Sequence, residues 1–418
     1  MRRIVVTGMG AISPMGVGLK HNWEALLAGK SGVVAVDRFD VSDFPSRVAG
    51  FVPRGDAEHQ YDPDRFFGKK QQSRNDEFIL FGMVAAREAL EDAGWAPESD
   101  EDKDATSVII GSGVGGFPAI EEGRIALDAR GLRAVSPFFI PSILINLASA
   151  QVGLEYDLRG SNYSVVSACA TGAEAVACAA RSILLEEADV VLAGGTDAAL
   201  DRLSVSGFAQ ARSLSTGFND RPAEASRPFD TGRDGFVMAE GAGVLVLEEY
   251  EHAKRRGAKI YAELAGYCST SDAYHITATS PDGAGESKAL QKSLDRARIN
   301  VDEVDYLNAH ATSTPIGDRG ELAAVRALFG RSPKVAVSST KSATGHTLGA
   351  AGALEAIYTV MAVHTNVLPP TLNLESVEPG YEDLNLVPKE AQERQVNVAL
   401  SNAFGFGSTK ASLVFRKV

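Results

Sequence analysis

The strongest constraint in this sequence is that its order of local patterns runs twice. β-branched, apolar runs near residues 3–8, 107–111, 163–168, 189–194 and 242–248 alternate with longer Ala-rich stretches. Five more such runs follow near 259–267, 304–309, 334–339, 396–401 and 411–416. Short strands separated by helical stretches are the pattern of parallel strands joined by crossover helices, so an α/β class is predicted. An amphipathic stretch through Ala85, Leu90 and Ala93 precedes Ser107-Val108-Ile109-Ile110, and one through Leu290, Leu294 and Ala297 precedes Val304-Asp305-Tyr306-Leu307. Ser167-Ala168-Cys169-Ala170-Thr171-Gly172 then has a cysteine-free counterpart in Lys341-Ser342-Ala343-Thr344-Gly345-His346. The expectation is two duplicated halves, residues 1–253 and 254–418, each with a five-stranded sheet. With 418 residues the chain exceeds what one core usually holds. The first half is longer through stretches around 35–75, 117–150 and 203–238, rich in Pro, Phe, Arg and Gly, where insertions would meet substrates or partners.

Charge narrows the partners. Lys and Arg number 41 against 54 Asp and Glu, a net charge of −13, which argues against nucleic acid or an anionic membrane. No apolar run approaches the ~18 residues of a membrane span. Arg2-Arg3-Ile4-Val5-Val6 superficially resembles a signal peptide, but the apolar run is too short and reads as a first strand. Cys169, Cys178 and Cys268 are too few and too irregularly spaced for a zinc site or a disulfide framework, so no metal is expected and a reducing cytoplasm is the expected setting.

Val165-Val166-Ser167-Ala168 reads as a strand end and Gly172 to Leu184 as a helix, which puts Cys169 at the junction. Unpaired amides and the helix dipole at such a place stabilise a thiolate, so the thiol is expected to fall from ~8.5 to below ~7.5. The alternative for a lone cysteine is packing, which is how Cys178 reads on the same helix. Among the histidines, His21, His59, His252 and His364 have no chemical neighbourhood. His310 ends a strand and opens the small polar loop Ala311-Thr312-Ser313-Thr314-Pro315. His346 precedes the Ala/Gly-rich stretch from Gly349 to Ala356, where a helix N-terminus would keep its imidazole neutral. Lys341, five residues earlier, would reinforce that neutrality. Cysteine, two imidazoles and a lysine at strand ends describe an acyl-transfer site without the Asn or Asp orienter of a papain-like protease.

Two Gly-rich segments invite other readings. Gly111-Ser112-Gly113-Val114-Gly115-Gly116 satisfies the dinucleotide pattern GxGxxG, but Phe117-Pro118 interrupts any helix after it, so a tight loop on a substrate pocket is expected. Phe404-Gly405-Phe406-Gly407-Ser408 places an aromatic ring between glycines, which suits a mobile loop with amides free for an oxyanion.

Val5-Val6-Thr7-Gly8-Met9-Gly10, Ser136-Pro137-Phe138-Phe139, Arg227-Pro228-Phe229-Asp230, Arg233-Asp234-Gly235-Phe236, Asn308 to Thr314 and Ser339-Thr340-Lys341 complete a set that spans the chain. Together these segments resemble the elongating β-ketoacyl-acyl-carrier-protein synthases of the thiolase superfamily. The resemblance implies a five-layered α/β/α/β/α fold with mixed sheets, a homodimer, and decarboxylative Claisen condensation in fatty-acid elongation. The same fold serves polyketide and specialised-lipid pathways, which stay open as alternatives. It implies that Cys169 takes the acyl chain, that His310 and His346 promote malonyl decarboxylation, and that Lys341 sets the electrostatics. It implies an oxyanion hole from the amides of Cys169 and Phe406, and gating by Phe406 with Phe404 beside it. Thr312 and Thr314 match pantetheine contacts, and Glu321 a buried acid near the lysine. Val114, Phe139, Ala168 and Phe208 match the lining of an acyl tunnel. Lys69, Lys70, Arg74 and Arg212, extended by Arg124, Arg130 and Arg133, match a patch for acidic acyl carrier protein. No resident cofactor is implied, since phosphopantetheine arrives on the carrier; a monovalent ion near the site is compatible with the resemblance. The chain departs from the pattern at Ala311 and Ser408, usually glycine, and at Lys410, usually asparagine. A Cβ at 311 or 408 is expected to strain a φ > 0 backbone.

Overall fold

The computed structural model describes residues 2–418. Ten strands carry the architecture: β1 (Ile4–Ser13), β2 (Thr106–Gly111), β3 (Asn162–Tyr163), β4 (Val190–Asp197), β5 (Gly241–Glu249), β6 (Ala262–Ser271), β7 (Tyr306–Asn308), β8 (Ala336–Ser338), β9 (Val398–Gly405) and β10 (Thr409–Arg416). In the first half β1 runs antiparallel to β5 and β5 to β4, while β4 and β2, and β2 and β3, are parallel. The second half repeats this: β6 antiparallel to β10, β10 to β9, then β9 parallel to β7 and β7 to β8. The orders 3-2-4-5-1 and 8-7-9-10-6 are the same path walked twice. β1 and β6 meet antiparallel, Val5 opposite Glu263 and Val6 opposite Ala262, which joins the two mixed five-stranded units edge to edge.

Alternation along the strands builds the layers. Ile109, Val191, Ala193, Leu245 and Leu247 face one apolar cluster, while Val108, Ile110, Val190, Leu192, Val244 and Val246 face another. The first cluster holds the two central helices, α3 (Thr171–Leu184) and α6 (Ala351–Thr365). The second is covered by α1 (Glu77–Ala93), whose Asp76 cap accepts the Phe78 N–H and which ends at left-handed Gly94. On the far side α4 (Ala284–Ala297) and α5 (Pro315–Phe329) pack Leu290, Leu294, Leu322 and Val325 against Leu307, Leu400 and Val414. The result is five layers, helix, sheet, helix, sheet, helix. The central helices approach closely through paired glycines: a Cβ on Gly172 would lie 2.5 Å from the Ala353 nitrogen, and one on Gly352 would lie 2.7 Å from the Ala173 nitrogen.

That reciprocity shows which positions are equivalent. Ala168–Ala170 and Leu348–Ala350 are both 3-10 turns leading into the central helices, and both start in the left-handed region, Ala168 at φ 49° and Leu348 at φ 51°. The counterpart of Cys169 is therefore Gly349, and the motif match to Lys341–His346 is displaced by six residues. Two further expectations need correction. The strand expected over 163–168 stops at Tyr163, because Ser149 Oγ takes the Ile110 N–H at 2.8 Å and Ser164 Oγ donates to the Ile110 carbonyl at 2.6 Å, consuming the ladder partners. A helix, α2 (Phe117–Arg130), does open directly after the first Gly-rich segment. Pro118 sits in its first turn, where the missing N–H would be unpaired anyway.

Candidate active site

A cavity of about 440 Å³ opens where the two halves meet, and Cys169, His310, His346, Phe404 and Phe406 share its wall. Each arrives at the end of an element. Cys169 sits in the turn before α3, His310 just past β7, and Phe404 and Phe406 at the hairpin between β9 and β10. His346 is held from both sides of its backbone, donating to the Val237 carbonyl at 2.7 Å and accepting from the Ala239 N–H at 2.9 Å. The imidazoles of His310 and His346 stand edge to face with centroids 5.5 Å apart, and Phe404 covers His310 at 5.5 Å.

Lys341 lies behind this wall, fully buried, with its ammonium 3.4 Å from His310 Nδ1. A protonated lysine can only donate, so Nδ1 is the acceptor and the His310 proton sits on Nε2. Burial first, and the Lys341 charge second, hold both His310 and His346 well below the usual histidine range. His346 is thus neutral as expected, but for a different reason: it lies outside any helix N-terminus, between the turn Lys341–Thr344 and the turn Leu348–Ala350. The carboxylate paired to Lys341 is Glu355 on α6. Glu321 serves the backbone instead, accepting from the N–H groups of His310 at 3.0 Å and Ala311 at 2.7 Å and from Asn402 at 2.9 Å. Burial pushes Glu355 up to about 7, with Lys341 opposing. Glu355 was legible only as a lone acid in an otherwise apolar helix.

The cysteine overturns one expectation. Burial pushes the Cys169 thiol up to about 12, and Asp197 adds to this. Lys341 and the backbone amides of Cys169 and Phe406 pull the other way without winning. Cys169 is the middle residue of the 3-10 turn Ala168–Ala170, one residue short of α3, and desolvation there outweighs the helix terminus. The Gly-rich segment beside it cannot cradle a pyrophosphate. Asp197 already takes the N–H groups of Gly113 at 3.0 Å, Val114 at 3.3 Å and Gly349 at 2.6 Å, and the Ser112 hydroxyl.

These positions decide what the chain is related to. Residues 1–253 match the description "Beta-ketoacyl synthase, N-terminal domain", and residues 261–375 match "Beta-ketoacyl synthase, C-terminal domain". The chain belongs to the β-ketoacyl synthase family. Among β-ketoacyl synthases of known name, 3-oxoacyl-[acyl-carrier-protein] synthase 2 of Rhizobium meliloti (strain 1021) is 51% identical over 100% of this chain and 99% of its own. The mitochondrial 3-oxoacyl-[acyl-carrier-protein] synthase of Arabidopsis thaliana is 45% identical over 100% and 94%. A solved β-ketoacyl synthase from Burkholderia phymatum STM815 superposes with a TM-score of 0.89 at 34% identity, covering 100% of both chains. A type II polyketide ketosynthase solved with its acyl-carrier protein and a bound hexaketide gives 0.89 at 32% identity, covering 100% of this chain and 99% of that one.

The remaining β-ketoacyl synthase positions fall unevenly. Thr312 and Thr314 reach the cavity with hydroxyls 3.2 Å apart, and Phe208 and Arg212 line it as well. Val114, Phe139 and Ala168 do not. Phe139 lines a separate cavity of about 580 Å³ together with Arg74 and Arg130. Of the basic residues, Lys69 is paired to Asp64 at 2.5 Å, Arg124 to Asp128, and Arg74 lies 4.3 Å over the Phe138 ring. Lys70, Arg130, Arg133 and Arg212 are exposed and, among the described residues, have no carboxylate partner. Ala311 has no positive φ and carries no strain, whereas Ser408 does, at φ 67°. Among the described residues no three His, Cys, Asp or Glu gather as a metal site, and no helix is long and apolar enough to cross a membrane.

Proposed function

We propose that the chain condenses an acyl group with a malonyl group, both delivered as thioesters of acyl carrier protein, giving 3-oxoacyl-acyl-carrier-protein and CO2 in fatty-acid elongation. The observation that carries this reading is that Cys169, in the turn before α3, shares one cavity with two neutral imidazoles and the Phe406 turn. The 51% identity to an elongating synthase favours that pathway over the polyketide one, whose ketosynthase stands at 32%.

In the first step the sulfur attacks the acyl carbonyl. As the C–S bond forms, negative charge moves to the carbonyl oxygen, where the amides of Cys169 and Phe406 donate to it. The carrier's thiolate leaves and receives the Cys169 proton, so a thiol that rests protonated gives up its proton only as the acyl group arrives. In the second step the malonyl thioester binds with its carbonyl oxygen toward Nε2 of His310 and toward His346. Neutral imidazoles act there as hydrogen-bond donors, and they stabilise the enolate left when CO2 departs with no proton lost. That electron pair forms the new C–C bond, the bond to sulfur breaks, and the Cys169 thiolate takes a proton from solvent. Burial, reinforced by Lys341 with its partner Glu355, keeps both rings neutral throughout, and Glu321 holds the His310 backbone in place. The Thr312 and Thr314 hydroxyls suit the amides of pantetheine. Arg212 at the mouth, with Lys69, Lys70 and Arg74, supplies positive charge on an otherwise acidic chain for an acidic carrier. Phe208 takes the acyl tail; a longer tail would pass Ala168 toward Val114, since Gly113 lies against the Ala168 carbonyl. A homodimer would cover the outermost strand β3 and the exposed Tyr163, Val166, Ile140 and Leu144 around it. No resident cofactor takes part in these steps, and a cytoplasmic setting keeps Cys169 reduced.

The test is to supply acyl carrier proteins loaded with chains of different length, together with malonyl carrier protein, and to weigh the products. Products two carbons longer, absent with Cys169→Ala, are expected; elongation by Cys169→Ala would overturn the reading.

A further inference from the structure

Asp197 closes β4 and takes no part in the condensation steps, yet it is wholly buried beside the turn that carries the nucleophile. Four donors converge on it. Oδ1 accepts from the Ser112 hydroxyl and from the Val114 N–H at 3.3 Å, while Oδ2 accepts from the Gly113 N–H at 3.0 Å and the Gly349 N–H at 2.6 Å. Burial pushes the carboxyl up to about 6, with these donors opposing, so it is ionised at neutral pH and each of its bonds is charge-assisted. A carboxylate this deep is tolerated because amides and a hydroxyl take its lone pairs.

The two glycines on Oδ2 are the walls of the Cys169 turn. On one side Gly113 abuts the residue before the cysteine: a Cβ on Gly113 would lie 3.4 Å from the Ala168 carbonyl oxygen. On the other side Gly349 abuts the first turn of α3: a Cβ on Gly172 would lie 3.0 Å from the Gly349 carbonyl oxygen. A single carboxylate oxygen therefore holds both walls. A side chain at 349 would take the place of that oxygen, since a Cβ there would lie 2.6 Å from it. What stands between the walls is strained. Ala168 sits at φ 49°, a region that an L-residue enters at a cost of about tenfold in equilibrium and keeps only where its surroundings over-determine it. The Ala168 carbonyl closes the turn by accepting the Thr171 N–H, so the strained residue and the direction of the Cys169 side chain are set together.

We propose that Asp197 is a positioning residue for acyl transfer: by drawing Gly113 and Gly349 onto one oxygen it wedges the turn Ala168–Ala170 in its left-handed form and so aims the Cys169 sulfur. This rests on the acyl-enzyme reading above.

The test is single-turnover acylation of the full chain by carrier protein loaded with one acyl group, followed on the Cys169 peptide by mass spectrometry. Asp197→Asn keeps the size of the side chain but turns one acceptor into a donor that faces amides. It is expected to slow acylation at saturating carrier about hundredfold and to leave the half-saturating carrier concentration unchanged, because Lys69, Lys70, Arg74 and Arg212 are untouched. The strain supplies a second readout. With Ala168→Gly, residue 168 holds its φ without penalty, so adding Asp197→Asn should cost about tenfold less than it does in the wild-type background. If Asp197→Asn does not fold, Gly113→Ala carries the test. Its Cβ would lie 2.9 Å from Asp197 Oδ2 and 3.4 Å from the Ala168 carbonyl oxygen, so it displaces the wall with the carboxylate in place. It is expected to slow acylation about tenfold, and again by less beside Ala168→Gly. An unchanged rate, equal costs in the two backgrounds, or a change confined to the half-saturating concentration would overturn the positioning role. A wild-type chain that takes no acyl group on Cys169 would instead overturn the condensation reading, so the two failures are distinct.

Discussion

The turns Ala168–Ala170 and Leu348–Ala350 have the same backbone and opposite contents. Each begins with a left-handed residue and leads into a central helix, and each faces the other across the pairing of Gly172 with Ala353 and Gly352 with Ala173. In the first half the middle residue is Cys169, open to the cavity. In the second it is Gly349, whose Cβ would lie 2.4 Å from the Gly113 nitrogen and 2.6 Å from Asp197 Oδ2. The same spacing sets Ala175 on α3 against Glu355 on α6, one completing an apolar core and the other balancing Lys341. The duplicated frame has split its labour: one copy presents the sulfur, and the other supplies the charges and imidazoles around it.

Breaking the first side should cost most. Cys169→Ala is expected to lower condensation by on the order of 10⁴-fold or more, and Cys169→Gln to keep malonyl decarboxylation while losing condensation, both read by product mass. On the second side, Glu355→Gln leaves Lys341 buried without a counter-charge. Urea unfolding should show a loss of about 3 kcal/mol. Gly349→Ala forces backbone against backbone and should cost about 2 kcal/mol in the same assay, with no gain of function from the restored side chain. The smallest effect is in pH. His346 has its folded pKa depressed, so the unfolded chain binds the extra proton below about pH 6.5 and stability falls as pH drops through that range. Relative to His346→Asn, the protein should lose about 1.4 kcal/mol per pH unit below 6.5. Equal slopes would mean that the ring is not held neutral.

The sequence shows most of the ten strands because buried strands are runs of β-branched and apolar residues, and it shows Cys169, His310 and Lys341 because each follows such a run, with His346 five residues beyond Lys341. It conceals what depends on side chains replacing backbone. β3 ends early because two serine hydroxyls take the bonds of Ile110, and nothing in Val165-Val166 announces that. The helix at Phe117 is hidden by a proline that is harmless in a first turn. Thiol chemistry is hidden more deeply, since a helix terminus is visible in sequence whereas the burial that outweighs it is not. Asp197 and Glu355 are single acids in apolar stretches, informative only once their partners are in place.

The most direct measurement is to incubate the protein with one acyl-loaded carrier protein, without malonyl carrier, and to map the acylated peptide by mass spectrometry. The account predicts a single acyl group per chain, on Cys169, that disappears when malonyl carrier protein is added. Acyl groups on Cys178 or Cys268, or none on Cys169, would contradict it.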